Sequence, residues 1–214
     1  MSLPRFSLVG LGLVLLATGC GVTKGSVEPR ATPPPGTDEL QVTGEPLPAG
    51  RYTRTAFEPQ VTFELDGTWE AVQIFSGFFD IQQDIDSPDV IAVQFTRPTA
   101  VVGAGGDGQS VTDAADAVDT LGDNDRLTVI EESETLMDGL EGHQVTVENA
   151  GTGHASVMSV AAGTFGIDPG RRLWIAFFDT PDGLLAILVG GSVDRWDEAL
   201  AAAEPVLESV TIAR

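Results

Sequence analysis

Residues 171–190 have the sequence RRLWIAFFDTPDGLLAILVG. Segments 171–179 and 183–190 are strongly apolar, and the Thr-Pro-Asp between them is typical of a turn. Side chains alternate between the two faces of a strand, so both faces of the first segment are apolar. One face carries Leu173, Ile175 and Phe177, and the other carries Trp174, Ala176 and Phe178. Because such strands are typical of the centre of a sheet covered on both sides, the sequence predicts a central hairpin between two packed layers.

Shorter strand patterns precede this hairpin. In residues 60–65, Val61, Phe63 and Leu65 alternate with polar neighbours, which is typical of a strand with one buried face. Further extended runs are predicted over residues 51–57, 68–76, 77–82, 89–97, 126–132, 142–149 and 155–162. Many of these runs are joined by short turns, which favours a mostly antiparallel sheet.

Two helices are predicted beside this sheet. Ser110 or Thr112 can cap a mid-chain helix that reaches about Leu121. Asp194 is a good N-cap for a C-terminal helix, and Pro205 is expected to kink or end that helix. Together the elements predict an α+β fold, in which a mostly antiparallel β-sheet is packed with a mid-chain and a C-terminal helix.

The N-terminal residues 1–19 have the pattern of an export signal. Arg5 precedes an apolar run over residues 6–17, which is too short to span a membrane because a span needs roughly 20 apolar residues. The run leads through small residues to Gly19 and Cys20, and Cys20 is the only cysteine of the chain. This pattern resembles the lipobox of bacterial lipoproteins, and the resemblance implies cleavage before Cys20 and lipidation of its thiol.

The lipobox resemblance predicts where the protein resides. It implies lipid anchoring to the membrane through Cys20, with the chain facing the outside of the cytoplasm, at the cell surface or in the periplasm. The alternative is an ordinary secretory signal followed by a chance cysteine. A single leftover thiol in an exported chain is unusual, which favours lipidation.

Residues 20–48 are poor in large apolar side chains and rich in proline. The prolines of this segment are Pro29, Pro33, Pro34, Pro35, Pro46 and Pro48. Such a composition cannot bury enough apolar surface to fold, so a disordered tether is predicted. The predicted organisation is a signal peptide over 1–19, a lipidated cysteine and tether over 20–48, and a single α+β domain over 49–214.

The chain is strongly acidic, with 32 acidic and 11 basic residues and a net charge of −21. A surface of this sign repels phosphate groups, which argues against nucleic acid and other anionic partners. Solubility in a salty or wall-rich exterior and genome composition explain the acidity equally well.

Several features of residues 50–214 point together to a known group. They are FELDGTW at 63–69, the mid-chain helix, Leu-Glu-Gly at 140–142, the hairpin that is apolar on both faces, and the closing helix over 196–210. In these features the chain resembles the PsbP-like group of small α/β/α sandwich domains, many of them bacterial lipoproteins. The resemblance implies a PsbP-like sandwich and a non-enzymatic binding or assembly role, and it assigns no functional residue by position.

Two pairs of neighbouring residues are candidate ligand or partner contacts. Phe78 and Phe79 are adjacent on a predicted strand and therefore face opposite sides. Either both rings pack into a core, or one of them is exposed to a ligand. Arg171 and Arg172 stand out in an acidic chain, and they either contact an anionic partner or form a solvated strand end.

The only histidines, His143 and His154, are the candidate bases of an alternative, catalytic activity. Neither has a second histidine or a cysteine two to five residues away, so no metal site is predicted. The serines near them lack the context of a nucleophile elbow, so no catalytic residue is predicted.

Two further patterns are interpreted as loops. The segment GAGGDG at 103–108 matches a dinucleotide-binding pattern, but it follows a very short strand and carries an aspartate, so no cofactor is predicted. A cluster of carboxylates has the density of a calcium loop without the spacing of an EF-hand, and it is interpreted as a solvated acidic loop. The cluster consists of Asp80, Asp84, Asp86 and Asp89.

The sequence therefore predicts a lipid-anchored extracytoplasmic binding or scaffold lipoprotein of the cell envelope, without catalysis. Its expected partner is an envelope protein or a small apolar ligand held between sheet and helix. One alternative is an envelope hydrolase that uses His143 or His154. Another is a carrier of a small apolar ligand.

Overall fold

A computed structural model of the chain describes residues 32–149 and 151–214. The predicted signal peptide and Cys20 lie outside the described residues. Lipidation of Cys20 therefore stays a prediction from the sequence.

The described residues form fifteen β-strands and two α-helices. The strands are β1 (Asp38–Glu39), β2 (Gly50–Thr53), β3 (Val61–Leu65), β4 (Glu70–Phe75), β5 (Phe78–Gln83), β6 (Ile91–Thr96), β7 (Ala100–Val102), β8 (Gly108–Gln109), β9 (Thr128–Met137), β10 (Leu140–Glu148), β11 (Ala155–Val160), β12 (Gly163–Ile167), β13 (Arg171–Thr180), β14 (Gly183–Ser192) and β15 (Thr211–Ile212). The helices are α1 (Ala114–Gly122) and α2 (Trp196–Glu208). Short 3-10 turns lie at Ala104–Gly106 and Val193–Arg195.

The strands form three sheets. Seven strands make the central sheet, in the order β4-β5-β6-β14-β13-β10-β9. Two four-stranded sheets have the orders β1-β2-β3-β15 and β12-β11-β7-β8. Among the strands that the structure describes, only β1 and β2 pair in parallel. The prediction of a mostly antiparallel fold with two helices is therefore confirmed.

The hairpin β13–β14 lies at the centre of the seven-stranded sheet, as predicted. Its strands pair without interruption from Arg171 opposite Ser192 to Thr180 opposite Gly183. Leu173 and Phe177 belong to the core on the α1 side of the sheet, whereas Phe178 belongs to the core on the α2 side. The hairpin is apolar on both faces because each face is covered by a different layer.

Each side of the central sheet has its own apolar core. On one side, α2 and the sheet β1-β2-β3-β15 cover it, and three phenylalanines stack there. The ring centroids of Phe79 and Phe95 are 4.7 Å apart, and those of Phe63 and Phe95 are 5.2 Å apart. On the other side, α1 packs together with β7, β11 and β12. The sheet β12-β11-β7-β8 thus shares this side with α1, and this arrangement positions the site described below.

The folded part begins earlier than the predicted boundary at residue 49. Leu40 is completely buried and Leu47 is 5% exposed, and both belong to the core on the α2 side. The backbone nitrogen of Leu40 donates to the carbonyl of Thr53 at 2.7 Å. The predicted disordered tether is therefore wrong for residues 38–48. The average composition of the segment hides two leucines that dock onto a core formed by the rest of the chain.

Both predicted helices are present, but their ends differ from the prediction. The cap of α1 is Asp113, whose Oδ1 accepts from the backbone nitrogen of Asp116 at 2.9 Å, and not Ser110 or Thr112. Helix α2 continues through Pro205 to Glu208. A proline removes one backbone hydrogen bond, but the buried side chains of α2 hold the helix against the sheet on both sides of Pro205. They are Trp196, Ala199, Ala203 and Val206.

Candidate functional site

A groove runs between the central sheet and β12, and it consists of two adjoining cavities. The first, named here the polar chamber, has a volume of about 540 Å³ and is lined by residues of β4, β5, β6, β13, β14 and β12. The second, named the apolar chamber, has a volume of about 140 Å³ and is lined by Phe75, Phe78 and the ends of β11 and β12. Gln73 and Phe165 line both cavities, so the two chambers lie next to each other.

Three glutamines from adjacent strands form the polar part of the floor. Gln73 in β4 lies opposite Asp80 in β5, and Asp80 lies opposite Gln94 in β6. Directly opposed residues of antiparallel strands project from the same face, so these three side chains form one row. Gln82 projects from the same face of β5 as Asp80, two residues along. Two carboxamides and one carboxyl therefore stand in a row on an inner face of the sheet, where polar groups need hydrogen-bonding partners.

Small residues leave the space above this floor open. Ala92 in β6 lies opposite Gly190 in β14, and Gly190 lies opposite Leu173 in β13. A Cβ built on Gly190 would meet nothing closer than the Leu173 side chain, at 3.6 Å. That is an ordinary contact distance, so the position tolerates a side chain, and the volume of the chamber depends on its absence.

The side chain of Gln94 has an unsatisfied hydrogen-bonding group in this chamber. Gln94 is 8% exposed, and its buried Oε1 has no hydrogen-bond partner among the described residues. An unpaired buried acceptor costs on the order of 1–3 kcal/mol, so native proteins seldom keep one without a partner. A donor on a bound molecule would satisfy it.

Asp80, the middle member of this row, holds β4 in place. Its Oδ1 accepts from the backbone nitrogen of Gln73 at 2.6 Å, and its Oδ2 accepts from Nε2 of Gln82 at 2.7 Å. The first bond lies at the bulge between Ala71 and Gln73 in β4. Burial raises the pKa of Asp80, although these hydrogen bonds oppose the shift. Asp80 is therefore a buried structural carboxyl, which corrects its assignment to a solvated acidic loop.

Arg171 closes the other end of the polar chamber. Its Nη1 donates to the carbonyl of Pro88 at 3.0 Å, and its Nη2 donates to the carbonyl of Val90 at 2.6 Å. Burial lowers the pKa of Arg171, whereas nearby Asp89 and Asp168 raise it. The guanidinium thus ties the segment before β6 to β13.

In each of the two predicted residue pairs, the neighbouring side chains face opposite sides of the sheet. Phe78 lines the apolar chamber, whereas Phe79 is completely buried in the core on the α2 side and is not a ligand contact. Arg171 faces the polar chamber. Arg172 borders the same chamber, but its side chain lies over the ring of Trp196 at 5.7 Å and donates to Glu148 Oε2 at 2.7 Å.

The role of the three glutamines and the presence of β12 were not predicted from the sequence. Gln94 stands among apolar residues in β6, and this polar position on an otherwise buried strand was the available signal. Strand β12 has the sequence GTFGI, whose two glycines weaken the strand pattern. Without β12, nothing in the sequence indicates that another strand covers this part of the sheet.

The two histidines lie outside the lining of the groove. His154 Nδ1 lies 3.0 Å from Asp168 Oδ1, and both side chains are more than half exposed. His143 lines a separate cleft of about 640 Å³ with Glu134, Glu141 and Asp179. In the described part of the chain, neither histidine forms a hydrogen bond with a serine, threonine or cysteine side chain. The geometry therefore supplies no nucleophile and base pair for the alternative hydrolase.

The glycine-rich segment closes a hairpin and does not open a helix. Ala104–Gly106 form a 3-10 turn between β7 and β8, whereas α1 begins only at Ala114. Among residues 32–149 and 151–214, no three histidine, cysteine or acidic side chains are grouped closely enough to hold a metal ion. Within the same residues, no helix combines the length and apolar character that crossing a membrane requires.

No protein-family model and no curated protein match the chain. Solved structures are similar at low identity. The solution structure of cyanobacterial PsbP (CyanoP) from Synechocystis sp. PCC 6803 is 14% identical with a TM-score of 0.46, over 81% of this chain and 98% of that one. A Pseudomonas aeruginosa protein of unknown function is 12% identical with a TM-score of 0.42, over 72% of this chain and 91% of that one. A Bacteroides thetaiotaomicron protein is 8% identical with a TM-score of 0.33, over 72% of this chain and 45% of that one.

Proposed function

We propose that the protein is a lipid-anchored extracytoplasmic binding protein that holds a small ligand in the groove between the central sheet and β12. The anchor is inferred from the sequence pattern that ends at Cys20, and a location outside the cytoplasm is part of the same proposal. A PsbP-like arrangement of the layers is part of the same proposal, and it rests on the sequence resemblance. Binding without catalysis is proposed because three carboxamides and three phenylalanine rings line the groove, and neither kind of side chain transfers protons at neutral pH.

The observation that carries this proposal is the unsatisfied Oε1 of Gln94 in the floor of an open chamber. A polar group is buried without a partner, and the residues beside it, Ala92 and Gly190, are small enough to leave room for one. Packing alone explains neither feature, because a core position favours an apolar side chain that fills the space. A bound molecule explains both features together.

Native mass spectrometry tests the proposal on the full-length protein, purified in a mild nonionic detergent from the cells that produce it. We expect an additional mass that leaves on denaturation. Gly190→Val should remove this mass, since its side chain fills the floor of the polar chamber. Gly153→Val is the matched control, because Gly153 has open space around its Cβ position and lies outside the groove.

The folding of the variant and the mass of the wild-type protein decide how the experiment is interpreted. Circular dichroism shows whether Gly190→Val folds, and if it does not, Gln94→Leu replaces it as the test variant. A bare mass for the wild-type protein contradicts the ligand proposal. In that case crosslinking in intact cells tests the scaffold function, for which an envelope protein is the expected partner.

A further inference from the structure

We infer that the ligand of this groove carries one carboxylate group, which Arg171 binds at the end of the polar chamber. This inference rests on the proposed function. It follows from the charge of Arg171, from the partners of the neighbouring carboxylates, and from the open space beside the guanidinium.

The residues that line the polar chamber differ in charge from the chain as a whole. The chain has 32 acidic and 11 basic residues, whereas the lining includes two arginines, Arg171 and Arg172, and one acidic residue, Asp168. Arg172 is paired with Glu148 at 2.7 Å. The chamber is therefore a local exception to the acidity that argues against anionic partners of the whole protein.

Arg171 has a positive charge without an ion-pair partner. Its guanidinium donates to the carbonyls of Pro88 and Val90, which are neutral groups. Within residues 32–149 and 151–214, no carboxylate forms an ion pair with it. A guanidinium has more N–H groups than these two bonds use, so donors remain. A carboxylate on a ligand can accept two such bonds at once and supply the missing negative charge.

The carboxylates near Arg171 limit the ligand to a single negative charge. Burial lowers the pKa of Arg171, and nearby Asp89 and Asp168 raise it. Asp89 Oδ1 accepts from Ser192 Oγ at 3.0 Å. Asp168 Oδ1 lies 3.0 Å from His154 Nδ1. Both carboxylates would repel a second negative charge on the ligand, which favours a monocarboxylate over a phosphate group.

Space for the body of the ligand lies along β6. Arg171 donates to the carbonyl of Val90, Ala92 follows two residues later, and Gln94 follows four residues later. At about 3.3 Å per residue, Gln94 lies about 13 Å along the chain from Val90. Ala92 and Gly190, which lie opposite each other, leave the interval open. The ligand therefore extends from Arg171 over these small residues towards Gln94.

The carboxamides beyond this space suit a second polar group of the ligand. A carboxamide offers both a donor and an acceptor, so Gln73 and Gln94 do not discriminate between charged and neutral groups. A secondary amide, with one N–H and one carbonyl, matches them, and its N–H can satisfy the unpaired Oε1 of Gln94. The selection for a negative charge therefore depends on Arg171.

A matched series of probes tests this inference. The probes are N-(5-phenylpentanoyl)glycine, N-(5-phenylpentanoyl)glycinamide and N-(2-aminoethyl)-5-phenylpentanamide. They share a ring, a chain and a secondary amide, and their heads are a carboxylate, a neutral carboxamide and an ammonium group. Isothermal titration calorimetry with the full-length protein in mild nonionic detergent measures their binding. We expect the acid to bind about tenfold more tightly than the glycinamide, and the amine to bind most weakly, because only the carboxylate pairs with the guanidinium.

The variant Arg171→Gln locates the carboxylate. It should bind the acid and the glycinamide equally, whereas Arg126→Gln should keep the preference for the acid. Arg126 is the matched control, because it also donates to a backbone carbonyl, at 3.3 Å, but is exposed and lies outside the polar chamber. Arg171→Lys, which keeps the charge, should keep a smaller preference. If circular dichroism shows that Arg171→Gln does not fold, Arg171→Lys replaces it as the test variant.

Equal or tighter binding of the glycinamide or the amine by the wild-type protein overturns the inference. An Arg171→Gln variant that binds all three probes more weakly by the same factor also overturns it, because Arg171 then acts only through the structure of the chamber. If no probe binds, the ligand released in native mass spectrometry decides. A released carboxylic acid supports the inference, whereas a ligand without a carboxylate overturns it and leaves the proposed function standing. If no probe binds and no additional mass is present, both fail.

Discussion

Asp80 is a buried carboxyl in a strongly acidic protein, so its titration should affect how the stability of the protein depends on pH. Burial raises its pKa above the ordinary value of 3.8. The folded protein therefore binds a proton that the unfolded chain releases at lower pH. This proton contributes its whole share of the unfolding free energy below the pKa that Asp80 has in the unfolded chain. The contribution is lost as the pH rises through the higher pKa that Asp80 has in the folded state.

Urea unfolding between pH 3 and pH 8, followed by tryptophan fluorescence, measures this contribution. The unfolding free energy of the wild type should fall as the pH rises through this window. That of Asp80→Asn should not fall for this reason, because asparagine does not titrate, so the variant becomes more stable relative to the wild type at higher pH. The control is Asp119→Asn, which changes an exposed aspartate. If the difference between Asp80→Asn and the wild type is the same at every pH, the burial of Asp80 does not control its titration.

At the scale of residues, the sequence predicts that neighbouring side chains of a strand lie on opposite faces of the sheet. It does not predict which face another layer covers. Phe78 and Phe79 must face opposite sides, and so must Arg171 and Arg172, because neighbouring side chains in a strand always do. Whether a face is packed or open depends on which layer covers it. The unpaired Oε1 of Gln94 could not be predicted at all, since a missing partner is a property of the assembled fold.

At the scale of elements, Leu40 and Leu47 attach the segment before β2 to the core. We expect Leu40→Ala to lower the free energy of unfolding by about 2–5 kcal/mol, because it leaves a cavity where the side chain is completely buried. Val42→Ala is the matched control, since Val42 is 53% exposed, and its effect should stay within about 0.5 kcal/mol. Equal effects of the two variants in urea unfolding would show that the segment does not dock.

The elements with strong periodicity were the predictable ones. The hairpin β13–β14 carries apolar side chains on both faces over residues 173–178 and 184–189, and the Thr-Pro-Asp turn between the two short runs favours strands. Strand β1 has two residues, too few for any pattern, and it forms because β2 offers it a partner. The path of α2 through Pro205 is likewise decided by packing against the sheet, which overrides the local preference of proline.

At the scale of the whole molecule, the proposal joins an anchor to a binding domain. The first described strand begins at Asp38, which leaves residues 20–37, about three fifths of the predicted tether, between Cys20 and that strand. The sequence predicts a flexible tether over these residues, and we propose that it spans roughly 20–25 Å, more than the screening length of about 8 Å at physiological salt. An acidic domain held at that distance is little affected by the charge of an anionic membrane.

This division into anchor and domain predicts that location and binding can be separated. We expect Cys20→Ser to shift the protein from the membrane fraction to the soluble fraction and to abolish labelling by radioactive palmitate, because the thiol that carries the lipid is gone. The released protein should still carry the additional mass in native mass spectrometry, since the groove lies wholly within residues 73–190. Thr18→Ser, which keeps the cysteine and a small residue near it, is the control and should remain in the membrane fraction. Retention of the Cys20→Ser variant in the membrane would mean that something other than a lipid on Cys20 holds the protein there, whereas release together with loss of the ligand would mean that the membrane supplies the ligand to the groove.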